Sequence, residues 1–346
     1  MTRSRFPRQY SPTITRRLSM TQYLRRIATA LMLIGALCSG QAAIAKDWPT
    51  QSIRIVLPYP PGGASDVTAR LLGMKMGQAW ETTVVIENRP GANGIIANEA
   101  AAKSPADGYT ILMANLGPNA INPAVYAKLP YDTVKDFAPV ILTTIVPLVI
   151  VTAADSPVKS LAQLIALAKE KPGQITFGSA GKGAGSHLAG ELLAVTTGAK
   201  MLHVPYKGDA PAIIDVMGGQ LTIALPTALA GVPHVKNGKL RALAVTSQKR
   251  IASLPDVPTV NEALGISGYE AVSWGGLMVP TGTPAEVIAK INAETNKALQ
   301  MPDVKVKLMA QGAEIVGGTP EAFNTFLRAE LVKWKHVADV AKVRLD

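Results

Sequence analysis

The sequence predicts an α/β protein with about two domains. Its 346 residues exceed the roughly 100–200 residues of a single domain, and a hydrophobic content of 48% can fill real cores. Apolar runs of strand length alternate with helix-like segments along most of the chain, which is typical of mostly parallel sheets with helices on both faces. A unit of strand, glycine-rich loop and helix also occurs twice. This composition excludes a disordered chain.

The chain from residue 46 onward begins with strands and helices in alternation. Strands are predicted at residues 53–57, 83–87 and 109–114, and helices at 65–80 and 93–103. The apolar run 141–151 contains Pro147 and is too short for a membrane span, so it predicts two buried strands that meet at the proline.

The second part continues the same alternation. The predicted strands span residues 175–177, 201–204, 221–225 and 240–245. The predicted helices span residues 161–169, 186–197, 211–217, 228–237, 284–299 and 320–340.

The net charge of +11 is concentrated at the N-terminus. Residues 1–45 hold seven Arg, no Lys and no acid, and they include the apolar run 27–38 and small residues at Ala43 and Ala45. This pattern predicts a secretory signal peptide, cut after Ala45, and a periplasmic location. The run of 12 apolar residues is too short to span a bilayer. The alternative to a signal peptide is a short buried helix. Met20 is an alternative start, and the Sec and Tat export routes both remain open.

Export would change what the composition implies about partners. Removing the leader leaves 28 basic and 24 acidic residues, a net charge of about +4, and it removes the single Cys. The mature chain then has neither disulfides nor a cysteine-based metal site. It also lacks a basic run, so we expect no nucleic-acid partner.

The two recurring units carry the most chemical information. The strand at 53–57 leads into Tyr59-Pro-Pro-Gly-Gly-Ala-Ser-Asp66, and the strand at 175–177 leads into Gly178-Ser-Ala-Gly-Lys-Gly-Ala-Gly-Ser-His187. Glycines let amides turn toward a ligand, and a helix N-terminus offers unpaired donors and about half a positive charge. Both loops therefore suit a carboxylate or phosphate. Simple strand-to-helix turns, with glycine for geometry alone, are the alternative.

Catalytic and metal motifs are weak by comparison. The four His are scattered without metal-ligand spacing, and no cofactor motif is present. Ser186 and His187 are adjacent but no G-x-S-x-G surrounds them, and Ser179 with Lys182 matches S-x-x-K without the partner motifs of a β-lactamase. Asp66 could act as a general base, but an acid at a helix start is more often a cap. We therefore predict no enzyme, cofactor or metal, with an exported serine hydrolase as a low-ranking alternative.

Several stretches together resemble the substrate receptors of tripartite tricarboxylate transporters, the Bug family. The resemblance covers nearly all of the chain from Trp48 onward. Its stretches include IRIVLPYPPGGASDVTARLL (53–72), VVIENRPGANG (84–94), AINPAVYAKLPYDTVKDFAPV (120–140), SAGKGAGSHLAGELL (179–193) and HVPYKGDAPAIIDVMGGQ (203–220).

The resemblance implies a two-domain periplasmic binding protein of the type II, Venus-flytrap kind. One domain would comprise residues 46–148 and 273–346, and the other residues 149–272, with hinge strands near 146–151 and 272–279. The family implies a small carboxylate in the cleft, held largely by backbone groups and water. It also implies a monomer that delivers ligand to membrane permease subunits, with a sensor kinase as the alternative partner.

The resemblance also implies the ligand-binding residues. They are Tyr59, Pro61, Gly62, Gly63, Ala64, Ser65, Asp66, Asn115, Leu116, Ser179, Gly183, Ser186, His187, Tyr206 and Pro226. One departure affects specificity: where family members often read VDLMFDN, this chain has Thr222 and Pro226 in place of the two acids. We therefore expect a carboxylate that lacks an α-amine.

Overall fold

The computed structural model describes residues 48–310 and 312–345. The predicted signal peptide and its cleavage site lie outside the described residues. A search of the described helices finds none with both the length and the apolar character of a membrane span.

The described chain alternates strands and helices. Its strands are β1 (Ile53–Leu57), β2 (Val84–Asn88), β3 (Thr110–Asn115), β4 (Phe137–Pro147), β5 (Val149–Ala153), β6 (Ile175–Ser179), β7 (Met201–Pro205), β8 (Ile223–Ala224), β9 (Leu240–Val245), β10 (Val272–Pro280) and β11 (Glu314–Ile315). Its α-helices are α1 (Ala64–Ala79), α2 (Ile95–Ala102), α3 (Asn122–Val125), α4 (Leu161–Glu170), α5 (Gly185–Thr197), α6 (Asp209–Met217), α7 (Ala228–Lys236), α8 (Val260–Leu264), α9 (Ala285–Gln300), α10 (Pro302–Ala310) and α11 (Pro320–Val340).

These strands form two sheets. The first sheet has six strands in the order β11-β4-β10-β3-β1-β2, and the second has five in the order β7-β6-β8-β5-β9. The predicted α/β class is confirmed, but the sheets are mixed rather than mostly parallel. Strand β1 pairs in parallel with β2 and β3, whereas β10 runs antiparallel to β3 and β4. In the second sheet β6 has parallel neighbours and β5 has antiparallel ones.

The antiparallel pairs arise where the chain passes between the sheets. It crosses at Leu148, between β4 and β5, and returns through the segment between β9 and β10. The two passages are hydrogen-bonded to each other: Leu148 N donates to Thr246 Oγ1 at 2.9 Å, and Thr246 N donates to Leu148 O at 3.1 Å. The strands that carry the chain between sheets cannot use the right-handed crossover of a βαβ unit, which explains why each sheet is mixed.

The long helix α11 packs its apolar face against β4 of the first sheet and against helices α3 and α5. Phe323 and Trp334 are almost fully buried in a core that also contains Leu188 of α5. The buried carboxylate of Glu330 accepts hydrogen bonds from the indoles of Trp274, at 3.0 Å, and Trp334, at 2.8 Å, and it pairs with Lys333. A buried acid needs such partners, and this one ties α11 to strand β10.

Candidate functional site

The two glycine-rich loops follow the carboxyl ends of β1 and β6 and enter α1 and α5. Each helix begins after a residue whose side chain cannot cap it, Gly63 for α1 and Ala184 for α5. By contrast, Ser160 caps α4 by accepting a hydrogen bond from Gln163 N. Both loops therefore leave the backbone N–H groups at the helix start without a capping side chain as acceptor.

In the first loop, Asp66 holds the turn together. Its Oδ2 accepts from Gly62 N at 3.0 Å and from Arg70 Nε at 2.8 Å, and its Oδ1 accepts from Asn88 Nδ2 at 2.9 Å. The Arg70 hydrogen bond, with smaller contributions from Gly62 and Asn88, lowers the pKa of Asp66 to about 2 although burial opposes the shift. Asp66 is thus a fully engaged carboxylate that shapes the loop, and it is unsuited to act as a general base near neutral pH.

The second loop repeats this arrangement with His187. Its Nδ1 accepts from Gly183 N at 3.0 Å, so a side chain in the first helical turn again binds the amide of a glycine four residues earlier. Both glycines have positive φ angles, +92° at Gly62 and +79° at Gly183, which L side chains rarely adopt. The two loops thus close the same kind of turn with different side chains. This explains why each of these side chains has a glycine four residues before it.

Ser179 and Ser186 satisfy further amides inside the second loop. Ser186 Oγ accepts from Ala180 N at 2.9 Å, and Ser179 Oγ accepts from Gly181 N at 3.2 Å. Ser179 Oγ also lies 2.6 Å from His203 Nε2. Several amides that the glycine pattern predicts as ligand donors are therefore consumed by the loop itself.

The amides that stay available are those of the first helical turns. Within the described residues, the backbone N–H groups of Ala64, Ser65 and Asp66 have no acceptor, and the same holds for Gly185, Ser186 and His187. The second residue of each helix is a serine whose Oγ already accepts a hydrogen bond, from Asn115 Nδ2 for Ser65 and from Ala180 N for Ser186. Each hydroxyl therefore keeps its proton as a donor. The two helix starts thus share a serine at the second helical position and three amides without an acceptor.

Side chains of the first sheet's loops contact the second loop. A Cβ atom at Gly185 would lie 3.0 Å from Leu116 Cδ2, and one at Gly183 would lie 2.6 Å from Leu345 Cδ1. Asn93 Nδ2 lies within 3.7 Å of the same Gly183 position. These contacts bring the region of Asn115 and Leu116 against the start of α5.

The other predicted ligand-binding residues lie around this region in different settings. Tyr59 is partly exposed beside Gly117, and desolvation raises the pKa of its hydroxyl to about 12. Tyr206 donates its backbone N–H to Ser179 O and its hydroxyl to Asp215 Oδ2 at 2.5 Å. Pro61 is exposed, whereas Pro226 is buried and packs on Gly231 inside the second sheet's layer. Pro226 thus fills core space at that position.

His203 is a site residue that the sequence analysis did not single out. Its ring stacks on that of His187 with centroids 3.7 Å apart. Burial, together with the nearby His187 and Lys182, lowers the pKa of His203 to about 3. Its spacing of 24 residues from Ser179 gives no local motif, so only the pairing of β6 with β7 brings the two side chains together.

The adjacent Ser186 and His187 are not hydrogen-bonded to each other. Ser186 and His187 point to different partners, Ala180 N and Gly183 N. Ser179 contacts His203, is only 2% exposed, and its hydroxyl donates to Gly181 O within the loop. Among the described residues, no group of three or more His, Cys, Asp or Glu is arranged to hold a metal ion.

Comparison with known proteins assigns the family. The family model described as the tripartite tricarboxylate transporter family receptor matches residues 68–342. The chain belongs to this receptor family. Its relatives include a protein from the tcbD–tcbE intergenic region of a Pseudomonas species, 38% identical over 93% of this chain and 95% of the relative. Protein BugT of Bordetella pertussis is 36% identical over 92% of this chain and 97% of its own length.

Solved structures of the family agree with the fold. A Rhodopseudomonas palustris protein solved with adipate is 37% identical, with a TM-score of 0.73 over 86% of this chain and 99% of that one. MatC from the same species, solved with bound malate, is 30% identical, with a TM-score of 0.70 over 84% and 99%. The periplasmic binding protein BugD is 33% identical, with a TM-score of 0.70 over 86% of this chain and 99% of that one, and the predicted periplasmic-binding-protein fold is confirmed.

Proposed function

We propose that this chain is an exported, monomeric receptor that binds a small carboxylate between its two glycine-rich loops and delivers it to a tripartite tricarboxylate permease. The observation that carries the proposal is the matched pair of helix starts at α1 and α5. Each offers three unpaired amides and a serine hydroxyl as hydrogen-bond donors, Ser65 in one and Ser186 in the other. A carboxylate accepts such donors and is favoured by the positive end of a helix.

The interaction free energies at the two helix starts are of the size that a receptor needs. Each helix end contributes roughly 0.3–1 kcal/mol, up to about 2 kcal/mol when partly buried. Hydrogen bonds to a charged group add about 1.5–3 kcal/mol each. Two helix ends and a few such bonds approach the roughly −8 kcal/mol of a micromolar complex before the costs of ordering are subtracted. An arginine clamp is therefore unnecessary, which agrees with loops whose only cation, Lys182, is exposed.

In this proposal the chain forms two lobes, residues 46–148 with 273–346 and residues 149–272. Closure would pivot where the chain crosses between the sheets, beside the Leu148–Thr246 hydrogen bonds. Ligand bound to both helix starts favours the closed form because only that form supplies both sets of donors. The adipate and malate complexes of related receptors support a dicarboxylate as the ligand.

A thermal-shift screen tests the proposal. The purified protein is heated with straight-chain dicarboxylates and, as controls, with the corresponding uncharged diamides. We expect at least one dicarboxylate to raise the melting temperature by several degrees, because saturation at about 100 times Kd adds about 2.7 kcal/mol, whereas the diamides leave it unchanged. A protein that responds to no carboxylate would contradict the proposal.

Serine variants test whether the two helix starts cause the ligand-induced rise in melting temperature. We expect Ser65→Ala and Ser186→Ala each to reduce the carboxylate-induced shift. Ser160→Ala is the matched control, because it removes the cap of α4 away from both loops. It should lower the melting temperature of the free protein and leave the ligand-induced shift intact.

A further inference from the structure

Asn115 is held in a fixed orientation at the carboxyl end of β3. Its Nδ2 donates to Ser65 Oγ at 3.0 Å and to the carbonyl oxygen of Trp274 at 3.3 Å. A carbonyl oxygen can only accept, so the amide nitrogen must face Trp274 and the orientation of the amide is determined. The residue is only 6% exposed, and its own backbone N–H is fixed by Asn119 Oδ1 at 2.9 Å.

The other atom of this amide has no partner. Asn115 Oδ1 is buried and, among the residues that the structure describes, no donor lies within hydrogen-bond distance. A buried carbonyl oxygen left unpaired is costly, so the site is incomplete without a donor. The atom belongs to the side chain that orients Ser65, and Leu116, the next residue, contacts Gly185 at the start of α5. The missing donor is therefore needed beside the first helix start.

We propose that Asn115 is a specificity-determining residue that selects a carboxylate carrying a hydroxyl group close to its acid group. This inference rests on the proposed function. Ser65 donates to the acid group, and Asn115 Oδ1 accepts from the hydroxyl. One amide thus orients the donor for the anion and provides the acceptor for the neighbouring substituent.

The charge balance favours a hydroxyl over an ammonium group. A buried ammonium needs an anionic partner, and an amide oxygen is neutral. Asp66, which follows Ser65, is already engaged by Gly62, Arg70 and Asn88. In the second sheet's loops, Asp209 Oδ2 accepts both the backbone N–H and the hydroxyl of Thr227, and burial raises the pKa of Asp209. Neither acid is placed as a free partner for an amine beside Asn115.

Calorimetric titration with matched acids tests the inference. The probes are succinate and L-malate, which differ by one hydroxyl, glutarate and 2-hydroxyglutarate, adipate and 2-hydroxyadipate, and L-aspartate as the amine counterpart. We expect the wild-type protein to bind the hydroxylated member of its best pair about 3- to 10-fold more tightly than the plain acid, the value of one net hydrogen bond. L-aspartate should bind more weakly than L-malate.

Variants separate selectivity from general damage. In Asn115→Leu the affinities for the hydroxylated and the plain acid should differ by no more than about twofold. If the leucine variant does not fold, Asn115→Ala is used in its place. Ser65→Ala is the control, because it removes the donor for the acid group and leaves Asn115 Oδ1 in place. It should weaken the binding of both acids equally and preserve the ratio of their affinities. A merely structural role of Asn115 would not predict this difference between the two variants.

The outcomes distinguish the two proposals. Binding of the plain acid as tightly as its hydroxylated partner, or a ratio that survives in Asn115→Leu, overturns the inference and leaves the carboxylate receptor intact. Tighter binding of L-aspartate than of L-malate overturns it as well. Absence of binding by every acid overturns the proposed function and this inference together.

Discussion

At the residue scale, the two ligand loops use different side chains for one task. Asp66 and His187 both reach back to the amide of a positive-φ glycine, so an acid and an imidazole close equivalent turns. The sequence pointed to both residues as ligand contacts. In the structure Asp66 is engaged by Gly62, Arg70 and Asn88, and His187 Nδ1 accepts from Gly183 N, while His187 Nε2 lies 3.5 Å from Glu191 Oε1. The serines beside them keep their hydroxyl protons.

Removing Asp66 is therefore expected to cost stability. Asp66→Ala leaves Gly62 N without its acceptor and removes the ion-pair partner of Arg70 and one of the two acceptors of Asn88 Nδ2. This predicts a loss of about 1–3 kcal/mol in the free energy of unfolding. Asp303→Ala is the matched control, since Asp303 forms an ion pair with Lys75 but is half exposed. Its loss should stay below about 1 kcal/mol. Urea denaturation measures both, and equal small losses would show that Asp66 does not hold the loop.

His203 predicts a pH dependence of stability. Its ordinary pKa of 6.5 falls to about 3 in the folded protein. Above about pH 6.5 the side chain is neutral in both states and has no effect. As the pH falls from 6.5 toward 3, the unfolded chain binds a proton that the folded chain does not, so stability decreases, with a slope of up to about 1.4 kcal/mol per pH unit.

The groups that face His203 are His187 of α5, Lys182 of the loop and the hydroxyl of Ser179. His203→Gln removes the titration and keeps a polar group near Ser179. We expect the difference in melting temperature between pH 7 and pH 5 to be smaller in this variant than in the wild type. A difference of the same size would mean that another group causes the acid sensitivity.

At the element scale, most helices and strands could be predicted from the sequence. The bounds of β1, β9 and α11 agree with the prediction because each has clear apolar periodicity and clear ends. Predicted strand 221–225 is reduced to Ile223–Ala224, because Thr222 pairs with Thr176 through side-chain oxygens and Pro226 ends the ladder. The short helices α3, α8 and α10 and strand β11 were missed. Of these, α8 carries a local signal, since Thr259 and Glu262 form a capping box at its start.

The contact between Gly185 at the start of α5 and Leu116 after β3 can be tested by substitution. Gly185 has an ordinary φ angle, so alanine is allowed there, but its Cβ would meet Leu116 Cδ2 at 3.0 Å. In the closed form, Gly185→Ala should weaken carboxylate binding by about 3- to 10-fold, and adding Leu116→Val, which shortens the opposing side chain, should restore much of it.

The glycine at the C-terminal end of α6, Gly218, provides the control for this pair. Gly218→Ala places a Cβ no closer than 3.5 Å to other atoms, and its near neighbours are carbonyl oxygens of α6 itself. It should leave affinity unchanged. Equal losses in Gly185→Ala and Gly218→Ala, or no recovery in the double variant, would mean that the Leu116 contact plays no part in binding.

At the scale of the whole molecule, the α/β class and the family could be predicted, whereas the mixed sheets and the completed site could not. Strand direction depends on how the chain returns between the sheets, and no local pattern encodes that. The same holds for Asn115, whose partners Ser65 and Trp274 are 50 and 159 residues away. Local sequence identified the two loops, but the way in which their amides are shared between loop and ligand depends on contacts that only the fold creates.

The most direct test of the account is a crystal structure of the protein with the carboxylate that stabilises it most. The account predicts carboxylate oxygens within hydrogen-bond distance of the Ser65 and Ser186 hydroxyls and of the amides at both helix starts. Asp66 and His187 should keep their bonds to Gly62 and Gly183. A ligand bound elsewhere, for instance in the cavity of about 600 Å³ beside Tyr126 and Tyr131, would contradict it.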